Sequence, residues 1–439
     1  MAINDDMAIN DDMAINDDMA TYPGSCGNNR ATTHCLCLIH PIDPRGSKVG
    51  GIETHIRLLL QHAPADWRVL VVGVDGCGDC PLGEPTHLSI NGRDVEFLPV
   101  IHYPDGQIHE AARSLHQSIT ARFTVGLMQN LFRIRRAIGP MPASIELERF
   151  EFAAIAYLLR LPAVQVVHGE GSKRDKMDSL IKKYWYVHRT MEEIAIRLAS
   201  AIVCVNPNIE ARMKRKRPSR SHLIRFMPVP VDTAMFKTCS FDHSDGVFRV
   251  VFAGRLDEFK DPPTMFRTLR AVHDRLGGTF EFHYIGTTDP HRYAEFDLIE
   301  SFTRLHGYKT PPEVAAIVAR CHAGILTSYF EGMPCYLLEV LSVGRPVVAI
   351  RLPQYDLAVQ EGISGSLVER LPDGASTVER LADRLVATWT AIQRGELKPA
   401  SIHAKIEPFS TDSLLGRHFA LHSRVSRNGG SQLAAAANT

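Results

Sequence analysis

The chain has no net charge, no long apolar run and no paired cysteine pattern, and each absence excludes a class of function. Lys and Arg total 49, and Asp and Glu total 49. No overall field therefore draws the protein to nucleic acid or to an anionic membrane, and any basic patch is local. No apolar stretch nears the roughly 18 residues of a membrane span, and the N-terminus lacks a basic, then apolar, then cleavage-site order. A cytoplasmic location is expected. The nine cysteines show no repeating pair spacing, and several sit inside apolar runs, which suits a reducing compartment. Cys77 and Cys80 form one tight pair, but no second Cys or His pair follows at ligand spacing, so the pair reads as a turn with two free thiols rather than a zinc site. No residue is assigned to a metal. What remains, 439 residues that are 45% apolar and 22% charged, suits two ordinary globular domains.

Met-Ala-Ile-Asn-Asp-Asp occurs three times in residues 1–18. So polar and acidic a tract buries too little surface to offset its ordering entropy, and residues 1–30 are expected to be disordered. The Gly-, Ser- and Ala-rich tail, 428–439, is expected to be loose as well. Between them, β-rich apolar runs alternate with helix-length amphipathic stretches, the pattern of parallel sheets with crossover helices. Strands are expected at Cys35 to His40, Arg68 to Val74, Val95 to Val100, Ser144 to Arg149, Ala163 to His168 and Ala201 to Val205. Helices are expected at Ile52 to His62, Ile108 to Ile138, Glu151 to Leu159, Tyr184 to Leu198 and Asn208 to Lys214. A second strand series begins at Val247 to Ala253 and continues through Phe280 to Ile285, Ala323 to Thr327, Pro346 to Ile350 and Gly365 to Val368. The expectation is a doubly wound α/β fold with domains at 31–230 and 231–404, joined near Pro228 and Pro230, and a last helix at 405–427 that crosses back. Ligands of open parallel sheets sit beyond the carboxyl ends of the strands, so the loops there carry the chemistry.

After Ala323 to Thr327 the chain reads Ser328-Tyr-Phe-Glu331-Gly332-Met333-Pro334, then a helix-like stretch containing Glu339 and closing at Gly344. Gly332 permits a tight backbone, Pro334 suits a first helical turn, and Gly344 suits a helix end. Such a helix N-terminus is a natural diphosphate site. A carboxylate accepts well from vicinal hydroxyls, so Glu331 and Glu339 suit sugar and ribose better than phosphate. After Val247 to Ala253, Gly254-Arg255 and Lys260-Asp261-Pro262 place two cations around a turn, where Arg can fork phosphate oxygens and Lys can add a point charge. Asp261 can cap the next helix and Pro262 can open it. Gly50 and Gly51 open the first helix, where bare backbone amides can approach a ligand. His168 ends the strand from Ala163 and is followed by an unassigned acid, Glu170; a histidine there is either structural or reactive.

The Glu331 to Glu339 spacing, with its flanking glycine, prolines and strands, resembles the Glu-x7-Glu signature of the group 1, family 4 retaining glycosyltransferases of the GT-B fold. The resemblance extends over roughly residues 35–425, including Leu305-His-Gly-Tyr308, Gly362-Ile-Ser-Gly365, and Met227 to Asp232, where Val229 and Pro230 replace the usual Asn-Gly. It implies two Rossmann-like domains facing across a cleft. It further implies that Glu331 contacts the donor sugar, that Glu339 holds the nucleotide ribose, and that Arg255 and Lys260 neutralise the diphosphate. Gly50, Gly51, Gly332 and Met333 would line the nucleotide-sugar site, with His168 near the transferred sugar. The expected reaction moves a hexose-type sugar to a saccharide or lipid-linked acceptor with retention. No carboxylate is placed as a covalent nucleophile and no Asp-x-Asp metal motif falls at a strand end, so front-side displacement without an obligatory metal or other cofactor is expected. The basic groups Lys173, Arg174, Lys176, Lys182 and Lys183, and the run Lys214 to Arg217, are either solvated faces or peripheral contacts to anionic lipid at the inner face of a membrane. A nucleotide-sugar 2-epimerase and a noncatalytic carbohydrate-binding protein are the rival readings. A nucleic-acid partner is disfavoured by balanced charge and the lack of interleaved aromatics.

Overall fold

The computed structural model describes residues 32–46, 50–104, 118–169 and 185–437. The N-terminal repeats, Glu170, the basic cluster from Lys173 to Lys183 and the start of the helix expected from Ile108 lie outside these residues.

Two sheets form the architecture. The first has the order β3-β4-β2-β1-β5-β6-β7-β8, from β1 (His34–Ile39), β2 (Trp67–Asp75), β3 (Thr86–Ile90), β4 (Arg93–His102), β5 (Ala143–Leu147), β6 (Ala163–Val167), β7 (Ala201–Cys204) and β8 (Ile224–Phe226). The second has the order β11-β10-β9-β12-β13-β14, from β9 (Phe248–Ala253), β10 (Phe280–Ile285), β11 (Thr303–Leu305), β12 (Ala323–Leu326), β13 (Val347–Ile350) and β14 (Gly365–Val368). Every residue of β1, β5 and β6 is buried, as strands covered on both faces require. Among the described residues only β3 and β4 pair antiparallel, through Asn91 and Gly92 at φ 51 and 78, the positive angles that a two-residue hairpin needs. Three strands not expected from the sequence, β3, β8 and β11, are short or border the sheet, where alternating burial and low apolar content weaken the local signal.

Strand order locates the cleft. β1 lies between β2 and β5, and β9 lies between β10 and β12, so each sheet reverses its winding there. The crevices beyond these strand ends are where the topology leaves room for a ligand. Among the described residues, α1 (Gly51–His62) follows β1, and α2 (Ile119–Gln129) and α3 (Leu131–Ile138) divide the long expected helix at Asn130. Then come α4 (Ala153–Leu158), α5 (Trp185–Leu198) and α6 (Pro207–Lys216). The second sheet carries α7 (Pro262–Leu276), α8 (Pro311–Arg320), α9 (Cys335–Ser342), α10 (Gly374–Gln393) and α11 (Pro399–His403).

The return helix α12 (Thr411–Ala437) packs against β5 and α1 of the first sheet. It enters beside the outgoing link: Val231 N donates to Phe409 O at 2.8 Å, and Thr411 N donates to Val231 O at 3.0 Å. The two crossings thus brace each other. The helix runs past Asn428 to Ala437, where a loose tail was expected, because Ala434 to Ala437 are strong helix formers and an established helix extends at one hydrogen bond per residue.

Candidate active site

The wall formed by the second sheet consists of two loops held together. Thr327 Oγ1 donates to Lys260 O at 2.7 Å, Tyr329 N donates to Phe259 O at 2.8 Å, and the rings of Phe259 and Phe330 stack at 4.9 Å. This arrangement pairs Lys260 with Glu331, whose side chain is 9% exposed and also accepts from Ser328 Oγ at 2.7 Å. Gln354 Nε2 donates to the Glu331 carbonyl at 2.8 Å and fixes the backbone. Glu331 is therefore held in one orientation before any ligand arrives. Arg255, on the same side, is 58% exposed and reaches Asp257 at 3.1 Å, leaving most of its guanidinium facing solvent.

Asp261 departs from expectation. It precedes α7 in the left-handed region, at φ 53, and its side chain caps nothing. From that backbone its carboxylate instead meets Arg370 Nη1 at 2.6 Å, while Arg370 Nη2 donates to Thr327 O at 2.6 Å and the guanidinium lies 3.9 Å from the centre of the Tyr329 ring. A non-glycine residue in this region costs about 1–3 kcal/mol and marks a loop held by its surroundings.

Helix α9 starts at Cys335, with Pro334 as its cap residue, and ends before Gly344, whose φ of 82 favours glycine. Glu339 lies on this helix, where burial pushes its carboxyl up to about 7. Burial first, then Glu339, keeps the neighbouring Cys335 thiol protonated well above its ordinary range. Met333 is buried in the core, so only its backbone is available to a ligand.

The wall from the first sheet meets this one closely. Cys335 Sγ lies 4.0 Å from Gly51 O, so the first residues of α1 and α9 adjoin, and each helix start brings its unpaired amides and positive dipole end to this junction. Asn206 Nδ2 donates to Gly332 O at 3.2 Å. A methyl group on Gly332 would collide with the carbonyl oxygen of His168. Gly332 is needed for this approach of the two walls rather than for an unusual φ. Gly50 likewise has an extended φ of −171, and its missing side chain leaves room for the Glu53 carboxylate. His168 Nε2 bonds Glu148 Oε2 at 2.5 Å, and the Glu148 side chain is 1% exposed.

Glu331, Lys260, Gly332 and His168 thus gather at one junction, with Gly51 and α9 beside it. Glu148, Asn206, Ser328, Gln354 and Arg370 were not anticipated. Two acids in an apolar run, Ile145-Glu146-Leu147-Glu148, were a signal for Glu148; the other four carry no local signature. The run Lys214 to Arg217 is largely an ion-paired face. Lys214 meets Glu210, Lys216 meets Glu192 and Glu193, and Arg217 meets Glu193. All eight cysteines among the described residues are free thiols.

Residues 247–388 match the family described as glycosyl transferases, group 1. The matched segment, about a third of the chain, is similar to that family and contains Arg255, Lys260, Glu331 and Glu339. The D-inositol 3-phosphate glycosyltransferases of Corynebacterium glutamicum and Pseudarthrobacter chlorophenolicus are 29% and 28% identical over 161 and 183 residues, which is 34% and 36% of this chain. These matches span 37% and 42% of the relatives' own lengths. The whole fold has the two-domain GT-B architecture. Sucrose-phosphate synthase from Thermosynechococcus elongatus superposes with a TM-score of 0.66 at 15% identity, covering 89% of this chain and 99% of that one. Anabaena HepE in complex with UDP-glucose superposes with a TM-score of 0.61 at 14% identity, covering 91% and 99%.

Proposed function

We propose that the protein is a retaining glycosyltransferase that moves a hexose-type sugar from a nucleotide-diphosphate sugar to a saccharide or lipid-linked acceptor. The observation that carries this reading is the Glu331 carboxylate, held by Lys260 and Ser328 beside the adjoining N-termini of α1 and α9. A diphosphate between those termini would meet two dipole ends, the Lys260 ammonium and the solvent-facing Arg255. Its sugar would then lie against Glu331, and its ribose along α9 at Glu339.

In a front-side displacement the acceptor oxygen bonds to the anomeric carbon on the face from which the diphosphate departs. The carbon–oxygen bond to phosphate breaks, and the acceptor proton passes to the leaving phosphate oxygen. Cations and amides aimed at that oxygen stabilise the charge as it develops, with no metal required at the diphosphate. His168, oriented by Glu148, would hold a sugar hydroxyl near the reacting carbon. The UDP-glucose in the Anabaena neighbour supports a nucleotide-sugar donor.

The test is a thermal-shift and hydrolysis screen against UDP-, GDP- and ADP-sugars with EDTA present, repeated on Glu331→Gln and Arg255→Ala. One donor is expected to raise the melting temperature of the wild type and slowly lose its sugar, with both variants losing the hydrolysis. Release of a free epimerised sugar would favour a 2-epimerase. No response to any nucleotide or nucleotide-sugar would sink the transferase reading.

A further inference from the structure

Beneath His168 lies a buried cluster that the transfer reaction does not use. Glu146 of β5 has a side chain with no solvent exposure. Three imidazoles turn the same ring atom, Nε2, toward its carboxylate. His55 of α1 lies 3.3 Å from Oε1, His418 of α12 lies 3.0 and 3.1 Å from the two oxygens, and His422 of α12 lies 2.6 Å from Oε2. His418 and His422, four residues apart, share one face of their helix. These side chains are at most 6% exposed.

We propose that His55, Glu146, His418 and His422 form a divalent transition-metal site, suited to zinc, that fastens the return helix to the first sheet. The donor set is one that zinc favours: three neutral imidazole nitrogens and a carboxylate oxygen. In a tetrahedral site with bonds of 2.0–2.1 Å, neighbouring donor atoms lie about 3.3 Å apart. The histidine-to-carboxylate separations are at or below this value, and His422 Nε2 reaches the other donors through Glu146 Oε2, so an ion would spread the carboxylate contacts and draw the His422 ring inward. The donor atoms of His55, Glu146 and His418 already lie within 4.8 Å of one another.

Two surrounding features point the same way. His422 Nδ1 contacts Ser144 Oγ at 2.8 Å, and Ser144 Oγ contacts His34 Nε2 at 2.8 Å, an outer shell that sets the ring so that Nε2 faces inward. A second buried carboxylate, Glu148, directs Oε1 toward the cluster at 3.7 Å from His55 Nε2, and this oxygen accepts no hydrogen bond. Two buried carboxylates side by side repel one another and are costly to desolvate. A dication would balance both.

The other acidic group, Asp75, Asp79 and Cys80, differs in this respect. Arg45 already occupies it, reaching Asp79 at 2.8 Å, Asp75 at 3.2 Å and Asp43 at 2.9 Å. At Glu146 no arginine or lysine fills that place among the described residues. The proposed ion is structural and separate from the diphosphate site, so it stands independently of the donor-binding reading. It would join α1, β5 and α12 directly beneath the cleft, where the His55 and His168 rings are 5.7 Å apart.

The untagged full chain, purified without chelator, is analysed for metal by mass spectrometry. It is then stripped with dipicolinate and titrated with cobalt(II), then zinc. The expected results are about one bound metal per chain as purified, visible bands of four-coordinate cobalt without a sulfur charge-transfer band, and their loss when zinc displaces cobalt. Either metal should raise the melting temperature of the stripped protein by about 5 °C or more. His418→Gln, checked for folding by circular dichroism, should abolish the bands. The proposal is overturned if the wild type neither retains metal nor responds to excess cobalt and zinc. It is equally overturned if the bands include sulfur charge transfer and persist in His418→Gln, which would assign the ion to Cys77 and Cys80.

Discussion

The two walls of the cleft are built on opposite principles. On the side of the second sheet, Glu331, Glu339 and the start of α9 come from one short stretch of chain, and Lys260 reaches it from the adjacent loop. On the side of the first sheet, His168 depends on Glu148, and beneath it Glu146 gathers His55, His418 and His422 from the two ends of the described chain. The first construction is a local motif on a strand, loop and helix. The second is a convergence that exists only once the return helix has docked. A local motif can be carried intact on one domain, whereas a convergent site ties the chemistry of one domain to the chain crossing of the other.

That contrast is sharpest at Gly332, where the walls touch. Gly332→Ala should force the His168 carbonyl and the Glu331 loop apart, and a displacement of about 1 Å is worth about 100-fold in transfer rate. The melting temperature should change less than the rate, since Gly332 lies in a loop outside both sheets. A variant with unaltered kcat/KM would show that the walls do not act together.

Arg370→Ala probes the local side alone. It leaves Asp261 almost buried and unpaired in a left-handed conformation, and it should cost about 1–3 kcal/mol in urea unfolding. The same variant should weaken donor binding by disturbing Lys260. If stability falls and donor affinity does not, the loop is scaffold only.

Glu339→Gln has the most pH-dependent effect, and near pH 4.5 the smallest. The folded-state carboxyl is raised to about 7, above its ordinary 4.5, so between those values the folded protein keeps a proton that the unfolded chain releases. The stability associated with this group is therefore full below about pH 4.5 and is lost as pH rises through 7. Glu339→Gln should raise the melting temperature of the ligand-free protein at pH 8 and leave it nearly unchanged at pH 4.5. Donor affinity of the wild type should fall below pH 7, by at most about tenfold per unit, as the carboxylate that accepts the ribose hydroxyls is protonated. A flat wild-type profile would remove Glu339 from the ribose site.

Much of the fold was legible because its signals are local. β10 and β14 have the bounds expected from the sequence, and most other anticipated strands differ by one or two residues, since buried parallel strands read as continuous apolar runs. The short strands at β3, β8 and β11 lacked such runs. In the site, Glu331 and Glu339 stand out by spacing, and Gly332 and Lys260 by their neighbours. Arg370 and Gln354 look like any surface polar residues, and Asp261 looked like a helix cap until its backbone angle turned the side chain toward Arg370.

By itself, then, the sequence determined the parallel strands of two sheets, the loops at their carboxyl ends and the acidic signature beside a helix start. Alternation, turn residues and short-range spacing act within a few residues. Only the tertiary structure decided that Gly332 serves the approach of two walls, that Glu148 orients His168, and that Glu146 meets histidines up to 276 positions away. Burial and long-range pairing arise when distant segments exclude water together, and no window of sequence contains both partners.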